Sequence, residues 1–287
     1  MKTFLLIASL ALVVGCTDTD VKTGYVPVDH GRLYYEEAGT GTPLIMLHGG
    51  YLDSRMWDAQ FELYSKTHRV IRYDIRSHGR SNSDSVEFAD YDDLYQLCQS
   101  LEIEQAIVMG LSMGGQIAID FALQYPAKVA GLILVGPGLG GFNFDSPEVD
   151  EYIEKLTAAF GSNDFDAVNE VFAQYWCDGP QRTPDQVAPA VRGKVLEMLA
   201  GSTERWEHYQ LVQYLDPPSI TRLEEIKVPT LLVLGLLDMP VIFEVAQVVL
   251  ERIPDARKVE IEGAAHMVNL DQPEVFNRAV SAFLAEF

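Results

Sequence analysis

Cysteine is scarce in this chain: three in 287 residues, with no Cys-x-x-Cys and no His-x-x-x-His spacing anywhere. That excludes a disulfide scaffold and the usual zinc ligand sets. Cys98 and Cys177 sit in apolar helical contexts, where a free thiol packs as a small hydrophobe. Positive charge is scarce too, with 21 Lys and Arg against 42 Asp and Glu, a formal net charge of −21. A phosphate backbone is a poor partner for such a surface, so no nucleic acid is expected. The acidic residues are dispersed rather than gathered in a run, which reads as a solvated surface. No internal repeat or low-complexity stretch occurs, and a hydrophobic content of 48% excludes disorder as a description of the whole.

The longest apolar run, residues 4–14, is too short for a bilayer span and follows Lys2. Residues 1–15 therefore read as a signal peptide. Its end, Val13-Val14-Gly15-Cys16, resembles the lipobox of bacterial lipoproteins, which implies lipidation of Cys16 and a short polar tether over residues 16–23. The expected location is exported and lipid-anchored to the bacterial cell envelope, facing the periplasm or in the outer membrane of a Gram-negative cell.

Beyond residue 24 the pattern alternates. Two short strands at 25–28 and 32–37 form a leading hairpin around Asp29-His30-Gly31. Short apolar runs at 44–47, 70–74, 106–109, 132–135, 231–234 and 259–261 then alternate with amphipathic segments at 54–66, 90–101, 114–125, 241–251 and 273–287. Continuous apolar strands separated by helices imply burial on both faces. The fold class is α/β, a mostly parallel eight-stranded sheet with helices on both faces. Between 137 and 226 there is no buried strand, only helical patterns at 147–160, 164–176, 184–199 and 204–215. This segment reads as a helical cap inserted after the sixth strand, dividing the core into 24–136 and 227–287.

One stretch joins this architecture to chemistry. The strand at 106–109 runs into Gly110-Leu111-Ser112-Met113-Gly114 and then a helix, the context of a nucleophile elbow. Small residues two before and two after the serine relieve the crowding of a sharp turn. A serine hydroxyl is a weak nucleophile until a base takes its proton, and the base needs an acid to orient it. His266 follows the last strand in Gly263-Ala264-Ala265-His266, and Asp238 follows the strand before it in Gly235-Leu236-Leu237-Asp238. Attack on a carbonyl also needs N–H donors for the developing oxyanion. Met113, after the serine, and Gly50, in His48-Gly49-Gly50 beyond another strand, offer them. His48 reads as a hydrogen-bonder that shapes this loop rather than as a rival base.

These motifs, together with Tyr73-Asp74-Ile75-Arg76-Ser77-His78-Gly79-Arg80-Ser81, resemble those of the α/β-hydrolase superfamily over nearly all of the chain from Gly24. The likeness is to its capped group of small bacterial esterases, enol-lactonases and cofactor-free haloperoxidase-like enzymes. The family usually has glycine at the place of Ser77 and often glutamate at that of Asp271. The resemblance implies that Asp74, Arg76 and His78 brace a loop as scaffold. Serine at 112 separates the chain from dehalogenases and epoxide hydrolases of this fold, whose nucleophile is aspartate. His-Gly-Gly-Tyr-Leu differs from the His-Gly-Gly-Pro-Gly of proline-type aminopeptidases.

The function expected is that of a serine hydrolase cleaving a small, neutral or apolar carboxylic ester or lactone through Ser112, His266 and Asp238, with neither metal nor organic cofactor. Tyr51, Trp176 and Trp206 are expected in the substrate pocket. The membrane is reached through the Cys16 anchor. The alternatives are a perhydrolase or haloperoxidase-like use of the same residues, a non-catalytic binding lipoprotein, and carbon–carbon bond hydrolysis, for which the cap shows no clamp for a substrate acid.

Overall fold

The computed structural model describes residues 20–201 and 208–287. The leader with Cys16, and Trp206, lie outside the described residues. Strands β1 (Lys22–Val28) and β2 (Gly31–Ala38) form the leading hairpin, followed by β3 (Pro43–Leu47), β4 (Arg69–Tyr73), the two-residue β5 (Asn82–Ser83), β6 (Ala106–Leu111), β7 (Val129–Val135), β8 (Thr230–Gly235) and β9 (Ala256–Ile261). The order across the sheet is β1-β2-β4-β3-β6-β7-β8-β9, with β5 paired to β2. From β4 to β9 every neighbouring pair is parallel, and the antiparallel pairs all involve β2. Strand β1 starts earlier than its apolar pattern suggests because Lys22 and Thr23 pair with Glu37 and Glu36. That extension is driven by backbone pairing and carries no hydrophobic signal.

Alternate residues of the central strands feed two cores. Val108, Leu132, Leu134 and Leu232 face one, and Ile107, Met109, Ile133 and Val233 face the other. The first core is closed by helices α2 (Asp90–Ser100) and α3 (Met113–Gln124), through Leu94, Leu97, Ile117 and Phe121. The second is closed by α1 (Asp58–Tyr64) and the C-terminal helix Pro273–Leu284, through Phe61, Phe276, Val280 and Phe283. Each such side chain contributes about 1.5–3 kcal/mol of burial. This explains why strands apolar on both faces lie in the middle of the sheet.

Between β7 and β8 the described chain is helical: α4 (Pro147–Gly161), α5 (Phe165–Phe172) and α6 (Pro189–Ala200). The expected helix at 164–176 changes at Ala173 into a π-helical turn, Ala173–Asp178. The expected helix at 184–199 begins only at Pro189. Proline at 189 holds Ala188 in an extended conformation, φ −56° and ψ 127°, so the preceding turn stays separate. Of the expected helix at 204–215, residues 204–207 lie outside the described residues; after a 3-10 turn at Tyr209–Leu211 the chain pairs Val212 with Phe88 in a parallel bridge. No helix among the described residues is long and apolar enough to cross a membrane.

Candidate active site

Because β3, β6, β8 and β9 run parallel, the loops after them emerge at one edge of the sheet, and His48-Gly49-Gly50, Ser112, Asp238 and His266 all lie in those loops. Ser112 has φ 56° and ψ −115°, a positive-φ conformation rare for a residue with a side chain. The turn is so tight that a Cβ on Gly110 would stand 2.1 Å from the carbonyl oxygen of Gly114, and one on Gly114 would stand 2.6 Å from those of Leu47 and His48. The strain is held by the surroundings: the Ser112 N–H donates to Val135 O at 2.9 Å, and Ser112 O accepts from Gln116 and Gly138 at 3.0 and 2.9 Å.

Two strands away, Nδ1 of His266 lies 2.7 Å from Oδ2 of Asp238, and both residues are buried. The other carboxylate oxygen, Oδ1, accepts from the backbone N–H of Met239 at 2.7 Å. Nε2 of His266 is buried and makes no hydrogen bond among the described residues. The Trp176 ring packs against the imidazole with centroids 4.7 Å apart.

Ser112, Met113, Gly50, Tyr51, Trp176 and His266 line one cavity of about 540 Å³, a size suited to a small organic ligand. Asp238 stands behind His266, outside the lining. Of the sequence-predicted residues that are described, all therefore come together at one place, with Ser112 and His266 sharing the cavity but not joined by a hydrogen bond. Met113 opens helix α3, so its N–H has no acceptor within the helix and lies at the positive end of the helix dipole. The Gly50 loop is fixed from below: the N–H of Ile75 donates to Nε2 of His48 at 2.9 Å and that of Tyr51 to Nε2 of His78 at 3.2 Å. Asp74 accepts from the N–H groups of Ser54 and Arg80 at 2.9 and 2.8 Å. Arg76 binds both oxygens of Asp93 at 2.6 Å.

A family model described as "Alpha/beta hydrolase family" matches residues 44–279, which span the elbow and every strand from β3 to β9. The chain belongs to this family. Among its relatives is the 2-hydroxy-6-oxo-6-phenylhexa-2,4-dienoate hydrolase of Comamonas testosteroni, 28% identical, with 96% of this chain and 99% of that protein covered. Similar solved structures include an esterase and a bromoperoxidase. A thermophilic esterase from Thermogutta terrifontis has a TM-score of 0.77 and 28% identity, covering 92% of this chain and 98% of its own. A bromoperoxidase from Bacillus anthracis has a TM-score of 0.78 and 25% identity, covering 93% and 100%.

Three features of this family member escape its motifs. Gly136, at the end of β7, has φ 44°, and a Cβ there would meet Nδ1 of His266 at 3.1 Å and Oδ2 of Asp238 at 3.2 Å. The Gly136-Pro137-Gly138 run is its only sequence signal, and turns explain that run equally well. Gly136→Ala is expected to displace the imidazole and lower kcat at least about tenfold, with a stability loss of about 1 kcal/mol from the positive φ, checked by kinetics beside urea unfolding. Asp271 accepts from the Ala265 N–H at 2.9 Å and binds Arg182 at 2.7 Å, tying the histidine loop to the helical insertion.

The third feature is a pair of carboxyls in the cavity lining, Asp90 and Asp120. Burial, reinforced by the like charge of Asp93 and opposed by Arg76, pushes Asp90 up to about 8, and burial pushes Asp120 up to about 6. The Tyr73 hydroxyl on β4, held protonated by burial and by the charge of Asp90, makes no hydrogen bond among the described residues. Folded Asp90 thus keeps a proton that the unfolded chain has released, so its contribution to stability falls as pH rises from its ordinary 3.8 to about 8 and is flat above. The ceiling on that loss is on the order of 5 kcal/mol. Asp90→Asn is therefore expected to raise Tm at pH 8 by roughly 5 °C or more, and the gain to shrink toward pH 4, in melts of both proteins.

Proposed function

We propose that this hydrolase cleaves a small carboxylic ester or lactone through an acyl-enzyme on Ser112. The observation that carries the reading is the cavity shared by a strained, outward-turned serine and by His266, whose far nitrogen bonds a buried carboxylate. Ser112 Oγ adds to the substrate carbonyl carbon as its proton passes to Nε2 of His266. The imidazolium is stabilised by Asp238, and the carbonyl oxygen, now an oxyanion, accepts from the N–H groups of Met113 and Gly50. Collapse breaks the bond to the alkoxide, which leaves with the proton from Nε2. Water then repeats the relay on the acyl group, releasing the acid and restoring the serine hydroxyl. The insertion over residues 137–226 acts as the cap, with Tyr51 and Trp176 beside the reacting group.

Esters and lactones are favoured over a dienoate such as the Comamonas relative's name specifies. Arg76 is the sole arginine or lysine among the described lining residues, and Asp93 occupies it. None of the described lining residues offers an anionic substrate chain a free cation. Incubating the protein and its Ser112→Ala variant with a fluorophosphonate probe and with short-chain aryl esters tests the assignment: a folded parent that neither labels nor turns over refutes it. The likeness to a bromoperoxidase supports a second reading, in which peroxide replaces water as the acyl acceptor, and a peroxide-dependent halogenation assay separates the two. Export and anchoring through Cys16 complete the proposal, tested by detergent-phase partitioning of the full chain.

A further inference from the structure

Asp90 opens α2 with 8% of its surface exposed, lines the cavity, and leaves Oδ1 buried with no hydrogen-bond partner among the described residues. Buried polar atoms are nearly always paired, so this one requires an explanation. Complementing the helix dipole is not enough: Asp92 and Asp93 occupy the same first turn, and a dipole leaves Oδ1 without a partner. Beside it Asp120, also lining the cavity, accepts from the Ser219 hydroxyl.

The position of these carboxyls follows from helix geometry. Ser112, Gln116 and Asp120 are spaced by four along α3 and all line the cavity, so they share one helical face. At 1.5 Å per residue Asp120 lies roughly 12 Å along the helix from the elbow. Ile117, Leu156 and Ile242 supply apolar wall to the same cavity. The cavity therefore holds Ser112 and, farther along α3, two carboxyls, and the one arginine among its described lining residues is already neutralised by Asp93.

We infer that the far end of this cavity is a subsite for a primary ammonium group on the substrate's acyl chain, received by Asp90 with Asp120 beside it. An ammonium carries three donors and no acceptor, so on entering it takes the place of the proton that Asp90 otherwise keeps: that proton leaves to water, and the ionised carboxylate gains a partner for its orphaned oxygen. The preferred substrate is then an ester or lactone of an amino acid whose amine stands about six atoms from the carbonyl. The orientation of that substrate rests on the serine-hydrolase reading above, whereas recognition of the ammonium does not.

The test pairs kinetics with binding. Hydrolysis of p-nitrophenyl caproate, its ω-hydroxy analogue and its ω-amino analogue is compared in the parent and in Asp90→Asn, and binding of n-hexylammonium and hexanol is measured by calorimetry on the same proteins. The expected result is a preference in the parent for the amino ester over caproate of at least about tenfold, expressed in KM, with the hydroxy ester between them. In Asp90→Asn that ratio falls to near one, and n-hexylammonium loses its advantage over hexanol by the same factor. Asp90→Leu makes the same comparison should the asparagine variant not fold. Turnover of all three esters without an amino preference, or a preference that survives at Asp90→Asn, overturns the subsite and leaves the hydrolase reading standing. An Asp90-dependent preference for n-hexylammonium in a protein that hydrolyses none of the esters keeps the subsite and overturns ester hydrolysis.

Discussion

Ser112→Ala is expected to abolish fluorophosphonate labelling and to lower kcat on aryl esters by roughly 10⁴-fold or more. No other hydroxyl replaces it at the turn. Ser77, the other serine in the cavity lining, has its Oγ 3.0 Å from Nδ1 of His208, away from the elbow. Folding should survive, because the turn is held by backbone groups: the N–H of Ser112 on Val135 and its carbonyl under Gln116 and Gly138. Alanine at 112 carries the same positive-φ strain as serine, so Tm is expected to stay within about 2 °C of the parent. A variant that keeps substantial turnover removes Ser112 from the reaction. A variant that loses turnover and also unfolds says nothing of chemistry, which is why melting is measured alongside.

Asp238→Asn is expected to lower kcat by about 10⁴-fold with little change in KM. The reason lies in the second hydrogen bond of the carboxylate. The Met239 N–H donates to Oδ1 at 2.7 Å, so an asparagine keeps its oxygen on that donor and turns its amide nitrogen toward His266. Nδ1 of His266, 2.7 Å from the other carboxylate oxygen, then meets a donor and must act as acceptor. The imidazole proton moves to Nε2, where it blocks acceptance of the serine proton. Steady-state kinetics distinguish this from a packing defect. A wrong tautomer reduces kcat alone, and a displaced ring raises KM as well. Retention of more than a tenth of the parental kcat removes Asp238 from the proton relay.

Both predictions concern residues legible in the one-dimensional pattern, and the reason is physical. A nucleophile on a strand-to-helix turn requires glycine at 110 and 114, and those glycines stand in sequence next to the serine they serve. Asp238 and His266 follow apolar runs, so their place at strand ends is visible as well. The helices of the insertion were legible only in part. Pro189 cut one, a π-helical turn ended another at Ala173, and the expected end of a third, at Val212, paired with Phe88. In each case a local backbone constraint or a distant strand partner overrode a helical period. The acidic end of the cavity was not legible. Asp90 reads as an ordinary acidic residue in a helix's first turn, and Asp120 as one polar position on the amphipathic α3.

By itself, then, the sequence determined the order of the strands along the chain, the strand-to-helix turn at Ser112, and the places of Asp238 and His266 after strands, because each depends on residues adjacent in the chain. Only the tertiary structure decided what those residues share. Parallel pairing of β3, β6, β8 and β9 carries their loops to one edge, and the packing of α2 against α3 buries Asp90 and Asp120 in the lining of a cavity that begins at Ser112. A period of 3.6 residues says which face of a helix is polar. Whether that face meets water or a neighbouring helix depends on contacts between segments far apart in the chain, and no local pattern encodes them.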